Sequence, residues 1–556
     1  MSLKNTDNFN QHLLHEKILI TCNKNPNKIA LKSSEDQNNY FTFKNLSSIT
    51  PRLASLLKNM GVKNEEKIGL LAENCPEWGV AYLSILCAGS IVVPFDPALK
   101  PAELTNLLNL SKIKYLYISK KQISLFGETI KKSENNIELI QLDNVKELSD
   151  NATESYLNQN VKPDDPAVLI YTSGTTGDPK AVVLTHRNLI TNLDGIAEVI
   201  KFYPTDTFLS LLPLFHTFEA TCGFLTPMTQ GLTVIYAKSL KSKDIIDDVK
   251  KYAVTFIVGV PLLYDKMYNS MKKKISELPL LKRLIISSSY LLCKFSWLFG
   301  IKVGNILFNK LREKAGLNTV RIFVSGGAPL PDFVAEWFNL IGFEFLEGYG
   351  LTECAPVVAV NRKNKIRFGS VGPPLPNVEI KIKNPSSEGI GEILVRGENN
   401  TPGYYDNPEA TNDLLKDGWL YTGDLGVIKK DCLYIKGRAK NLIVSAGGKN
   451  IYPEELEEII NQSPYILESL VLGRKKPKDN HESIFAIIVP DIEQLSDESL
   501  AIPSETDLDK IESIIKVEIN KANCLLSNYK RISNFEIQWQ EFEKTSTKKI
   551  KRVLYK

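Results

Sequence analysis

No Cys-x-x-Cys pair occurs in this 556-residue chain, and none of its eight cysteines has a histidine companion at metal-ligand spacing. Thiols scattered at 22, 75, 87, 222, 293, 354, 432 and 524 read as reduced cysteines of a cytosolic protein. The excess of positive over negative charge is also small. With 68 Lys+Arg against 64 Asp+Glu the net charge is +4, too mild to argue for a nucleic-acid partner. The first ten residues have no apolar core of the kind a signal peptide requires, and no uncharged apolar run reaches membrane-spanning length. The expectation is a cytoplasmic protein.

What is present is the balance of a soluble globular chain, 43% hydrophobic and 24% charged, too long for one simple core. Helical and strand-like stretches alternate from Phe41 to Lys120, and again from Phe208 to Leu346. That rhythm predicts two helix-covered sheets of βαβ type. Gln122 to Pro166 is polar and reads as a connection. Between about 366 and 438 the texture changes to short β-rich runs, such as Glu379 to Ile382 and Gly391 to Arg396, which predict a small β-barrel or distorted sheet. Beyond Lys440 the pattern is α+β, with a helix opened by Pro453 and loaded with Glu454, Glu455, Glu457 and Glu458. The fold class expected is α/β: a large N-terminal domain, 1–438, followed by a small mobile α+β lid, 439–556.

The stretch with the most specific chemistry is Tyr171 to Lys180, Tyr-Thr-Ser-Gly-Thr-Thr-Gly-Asp-Pro-Lys. Gly174 and Gly177 let backbone N–H groups approach an anion, Thr172, Ser173, Thr175 and Thr176 offer hydroxyls, and Lys180 adds a positive charge. It is not a Walker loop, because Lys180 leads into the β-like Ala181 to Leu184 rather than a helix; the loop joins two strands. As a whole it resembles the ATP-phosphate loop of the AMP-forming acyl-activating superfamily, which includes acyl-CoA ligases, luciferases and the adenylation domains of peptide synthetases.

Ser325-Gly-Gly-Ala-Pro329 and Glu347-Gly-Tyr-Gly-Leu-Thr-Glu-Cys354 each end a predicted strand, where sheets of this build bind ligands. Both resemble segments of the same superfamily, in the same chain order. The resemblance implies that Gly327, Ala328, Glu347, Gly348, Tyr349 and Thr352 contact the nucleotide, and that Glu353 and Thr172 bind Mg²⁺. Asp424, in Tyr421-Thr-Gly-Asp-Leu425, corresponds to the ribose-binding aspartate, and Arg438 follows at the expected interval. Lys440 falls on the hinge of the C-terminal domain. Gly447 and Gly448, in Ser445-Ala-Gly-Gly-Lys-Asn450, fall in the segment that admits the thiol cosubstrate. The tail Lys544-Thr-Ser-Thr-Lys-Lys-Ile-Lys-Arg552 resembles the closing motif Pro-Lys-Thr-x-x-Gly-Lys-Ile-x-Arg, placing the adenylation lysine at Lys549; Glu543 and Lys548 depart from the pattern.

His216, in Leu212-Pro-Leu-Phe-His-Thr217, has no Asp or Ser motif to complete a triad. It reads either as a structural histidine or, by the resemblance, as a gate beside the carboxylate pocket. Lys266 to Lys314 holds 11 Lys+Arg against Glu277 and Glu313, a local charge of +9, with Leu281, Leu284, Ile285, Leu291, Leu292, Phe295, Leu298 and Phe299 at helical spacing. Two readings stand: helices packed on the core with a solvated basic face, or a peripheral membrane contact on anionic lipid. The resemblance is strongest to long-chain fatty acyl-CoA ligases and acyl-acyl-carrier-protein synthetases. It implies a ligase that uses MgATP to convert a fatty acid to its acyl-adenylate and then to a thioester. CoA is the expected acceptor, and the phosphopantetheine of acyl carrier protein the alternative. A luciferase-like oxygenase or a non-catalytic nucleotide-binding module is less well supported.

Overall fold

The computed structural model describes residues 13–152, 154–172, 179–445, 448–475, 482–495, 505–544 and 550–555. The chain forms two compact units, Met1–Ile380 with Val395–Leu420, and Lys381–Leu394 with Tyr421–Lys556.

Two helix-covered sheets build the first unit. The six-stranded sheet runs Glu138–Gln141, Tyr115–Ile118, Lys67–Leu71, Ile91–Phe95, Pro166–Thr172, Lys180–Thr185 from edge to edge. All neighbours are parallel except the last pair, which closes as a hairpin. Its central strand Ile91–Phe95 is buried along its whole length, as expected of a parallel strand covered on both faces. Helix Pro76–Cys87 is apolar nearly all round and only Glu77 escapes burial, so it lies within the core rather than on a surface.

The eight-stranded sheet has the order Val357–Val360, Glu344–Gly350, Ile322–Ser325, Phe256–Gly259, Thr207–Ser210, Thr233–Tyr236, Ile29–Ser33, Tyr40–Thr42. The alternation from Phe208 to Leu346 therefore forms the second sheet as expected. Three features differ from the sequence reading. Ile29–Ser33, which the sequence reading left unassigned, pairs parallel with Thr233–Tyr236 and so belongs to the second sheet. The polar connection 122–166 includes the edge strand Glu138–Gln141, where Ile140 alone is buried; one inward side chain leaves almost no periodic signal. Strand Glu344–Gly350 does not stop at Leu346, because Val357–Val360 returns antiparallel and pairs with Gly348, Tyr349 and Gly350.

A five-stranded sheet follows, in the order Val378–Lys383, Gly391–Gly397, Trp419–Lys429, Leu415–Lys416, with Cys432–Arg438 also paired to Trp419–Lys429. Within the second unit, strands Ile466–Lys475, Glu482–Pro490 and Asn534–Ile537 form a sheet against helices Pro453–Ile460 and Glu505–Leu525. They share a core that includes Leu456, Ile460, Val471, Ala486, Ile488 and Ile515. The α+β character is as read from the sequence.

Candidate active site

The hairpin Pro166–Thr172 and Lys180–Thr185 sets Thr172 opposite Lys180, and the Thr172 hydroxyl donates to the Lys180 carbonyl at 3.3 Å. Ser173, Gly174, Thr175, Thr176 and Gly177, which join the two strands, lie outside the described residues. Residues 401–405 run beside the second strand. Val183 N–H donates to the Gly403 carbonyl at 3.1 Å, and Tyr405 N–H donates to the Ala181 carbonyl at 2.8 Å.

That alignment brings Tyr404 to the site. Its ring lies 5.4 Å from the Lys180 ammonium, within cation–π reach. Its hydroxyl donates to Glu353 Oε1 at 2.8 Å. Burial, then the Glu353 charge, push the Tyr404 phenol well above its ordinary range, so it keeps its proton and acts as a donor. Glu353 is fixed from behind as well, since its carbonyl accepts the Thr401 N–H at 2.8 Å. It lies in the short turn Thr352–Cys354, whose Cys354 carbonyl accepts from Asn399 Nδ2 at 2.9 Å and Asn192 Nδ2 at 3.3 Å. With Thr172 opposite Lys180 in the hairpin and Thr352 next to Glu353 in the chain, Lys180 and Glu353 are thus linked through Tyr404, which the sequence reading missed. Its turn signal, Pro402-Gly403, was visible, but not the strand it lies against.

Ser325 and Glu347 are register partners on adjacent strands, and both are buried. After Ser325 the chain turns through Gly326 and Gly327. A Cβ on Gly326 would lie 2.9 Å from the Phe218 ring, whereas one on Gly327 would meet nothing within 4 Å, at φ +83°. Gly327 and Ala328 are exposed, and beside them Ser325 Oγ is buried with no hydrogen-bond partner among the described residues. An open backbone edge next to an orphaned hydroxyl suits a polar ligand. Gly348 and Tyr349 lie on the strand rather than in a loop, and a Cβ on Gly350 would fall 2.0 Å from the Pro356 carbonyl oxygen.

His216 is half-buried, with its ring 4.2 Å from that of Phe215. Its loop is clamped by Asn74, which donates to the Leu212 carbonyl at 2.6 Å and accepts the Leu214 N–H at 3.1 Å. Thr217, Ala220, Thr221, Trp78, Ile170 and Leu184 are among the residues that line an apolar cavity of about 10 Å³. Helix Thr226–Gln230 is preceded by a π-helical stretch, Glu219–Leu225. There Glu219 is fully buried and accepts from the Ser210 hydroxyl at 2.6 Å, and burial pushes its carboxyl up to about 8.

In the second unit Asp424 and Arg438 are register partners, joined Nε to Oδ1 at 2.9 Å. Asp424 is buried and Arg438 half-exposed. Lys440 lies exposed in the turn Ala439–Asn441. Gly448 has φ +71° with open space around it, a conformation that favours glycine. Gly447 and Lys549 lie outside the described residues. Around Lys549 the chain is anchored by Lys544, paired with Glu468 at 2.8 Å, and by Arg552, paired with Glu457.

A family model described as AMP-binding enzyme matches residues 20–405. The chain belongs to the AMP-binding enzyme family. The residues of the first unit described above lie within the matched span, and Asp424, Arg438 and the tail lie beyond it. The chain is 29% identical to a chloroplastic long-chain-fatty-acid–[acyl-carrier-protein] ligase of Arabidopsis thaliana, over 86% of this chain and 76% of that one. It is 28% identical to a long-chain-fatty-acid–CoA ligase of Escherichia coli O157:H7, over 83% of each. Among solved structures, O-succinylbenzoate coenzyme A synthetase of Bacillus subtilis, in complex with ATP and a magnesium ion, superposes with a TM-score of 0.74. It is 23% identical and covers 97% of this chain and 98% of its own. The fold is therefore that of this synthetase. No helix among the described residues is long and apolar enough to cross a membrane.

Proposed function

We propose that the chain activates a long-chain fatty acid with ATP and transfers it to the thiol of coenzyme A. In the first step a carboxylate oxygen bonds to the α-phosphorus while the bond to pyrophosphate breaks. In the second, sulfur bonds to the acyl carbon and AMP leaves, with the thiol proton passing to solvent. The single observation that carries the reading is the Lys180–Tyr404–Glu353 arrangement at the base of the Gly/Thr-rich connection, in a chain of the AMP-binding family. The two fatty-acid ligase relatives support the substrate class.

On this reading the 173–177 connection and Lys180 hold the phosphates. Gly327, Ala328, Glu347, Gly348, Tyr349 and Thr352 contact the nucleotide, Asp424 accepts the ribose hydroxyls, Arg438 helps to hold the ribose or phosphate, and His216 is a gate beside the carboxylate pocket. A magnesium ion arriving with the nucleotide would be held by Glu353 and Thr172, and would supply neutralisation of phosphate charge. One carboxylate and one hydroxyl suit a cation whose other ligands are phosphate oxygens and water. Lys549 stabilises the charge that develops between carboxylate and α-phosphate. Residues 439–556 turn about Lys440 between the half-reactions, and Gly447 and Gly448 line the path of the thiol. Contact with membranes through 266–314 belongs to the same proposal.

A second acceptor is favoured by one specific observation, the carrier-protein ligase among the relatives. The deciding experiment measures pyrophosphate release across carboxylates from acetate to oleate, then thioester formation with coenzyme A and with holo-acyl carrier protein. Long-chain acids with coenzyme A are expected to give the highest kcat/KM; preference for acetate or benzoate would overturn the substrate, and preference for the carrier would overturn the acceptor. Lys549→Ala is expected to cost orders of magnitude in pyrophosphate release while leaving thioester formation from supplied acyl-adenylate largely intact.

A further inference from the structure

Helix Leu280–Leu298 is apolar on two opposite faces. One packs inward: Ile286, Tyr290, Cys293 and Trp297 join the core cluster that includes Trp337 and Phe338, and Trp297 stacks on Phe368 at 5.4 Å. The other holds Leu281, Leu284, Ile285, Leu292, Phe295 and Leu298, which the 3.6-residue period gathers into one stripe opposite the packed side. Each of these six is more than half exposed. Single apolar side chains on a surface need no explanation, but a contiguous stripe marks an interaction face. These are the same positions that would be covered if the helix merely packed on the core with its polar side outward.

Charge identifies the partner. Of the eleven Lys and Arg between 266 and 314, all but Arg312 are exposed, and the stretch carries +9. A second copy would bring an equal positive field against the first, whereas an anionic surface complements it. The geometry is that of a helix lying flat. Its 19 residues span roughly 28 Å, and Lys282 and Arg283 lie beside the stripe rather than on it, while Lys294 is paired with Glu336 at 2.8 Å. Deepening the membrane contact in the reading above, on which it rests, we propose that this stripe is an in-plane anchor on a bilayer of anionic phospholipid. The stripe enters the acyl boundary, and the flanking cations meet the headgroups. The chain would then meet its substrate in the lipid phase, where long-chain acids partition.

The test compares the full chain with a Leu284→Glu, Leu292→Glu variant in co-sedimentation with phosphatidylcholine vesicles, with and without phosphatidylserine. Binding to the phosphatidylserine vesicles is expected to weaken in high salt and to fall at least tenfold in the variant, with octanoate-dependent pyrophosphate release unchanged. Equal sedimentation of both proteins would overturn the proposal. So would a lipid-free dimer that the two substitutions dissolve, because it would make a second copy the occupant. Absence of pyrophosphate release with every carboxylate would overturn the ligase reading instead, and leave the vesicle result standing.

Discussion

Tyr404 donates its hydroxyl to Glu353 Oε1 at 2.8 Å while its ring faces the Lys180 ammonium, so one side chain fixes both charged groups of the site. Removing that hydroxyl leaves the ring and its packing in place. Tyr404→Phe is expected to raise the magnesium concentration for half-maximal pyrophosphate release by about tenfold, the usual scale for losing a partner that orients a metal ligand. The melting temperature should change little. A magnesium titration with unaltered midpoint would detach Tyr404 from the metal site.

Glu219 makes stability fall with rising pH. Its carboxyl is raised from 4.5 to about 8, by burial first, with the Ser210 bond opposing. The folded state holds the proton between those values while the unfolded state releases it. The contribution is thus complete below about 4.5 and is lost as pH rises through about 8. Tyr236, Tyr264 and Cys222, the titratable groups that feel its charge, offer no countercharge. Glu219→Gln keeps an oxygen for Ser210 and removes the titration. The variant should gain on the order of a few kcal/mol over the parent at pH 9 relative to pH 5, measured by urea unfolding.

The opposite limb comes from His15 and His186, edge to face at 5.7 Å, with His186 Nδ1 accepting the Leu14 N–H at 3.3 Å. Burial lowers His15 from 6.5 to about 4 and His186 to about 3. Both are neutral when folded, so their stability is present above about 6.5 and is lost as pH falls toward 4 and below. His186→Gln should flatten the decline of melting temperature between pH 6.5 and 4. A parallel decline in parent and variant would exclude the pair as its source.

Lys440→Pro fixes φ near −65° in the turn Ala439–Asn441. Pyrophosphate release is expected to survive better than thioester formation. Wild-type rates in both half-reactions would remove Lys440 as the hinge.

How much of this was legible before folding depends on the distance over which each feature is encoded. The two sheets were readable because apolar runs such as Ile91 to Phe95 repeat in a βαβ rhythm, and the motif residues were readable because each string is contiguous. Even Asp424 and Arg438, fourteen positions apart, belong to consecutive strands of one hairpin. The 51-position link between Tyr404 and Glu353 was not readable, nor was the 204-position link by which Ile29 accepts from the Thr233 hydroxyl in the second sheet.

Most helices and strands, and the motif strings proposed to carry chemistry, were readable from the chain because periodicity and local motifs act through neighbours; the edge strand Glu138–Gln141 and the part played by Tyr404 were not. Tertiary structure alone decided which surfaces meet. Leu280–Leu298 states the difference most plainly. Its spacing makes both faces apolar, and local physics does not choose between them. The choice fell to Trp337, Phe338 and Phe368, residues the helix meets only after folding. They drew Ile286, Tyr290 and Trp297 partly out of water and left Leu284 and Leu292 exposed to it.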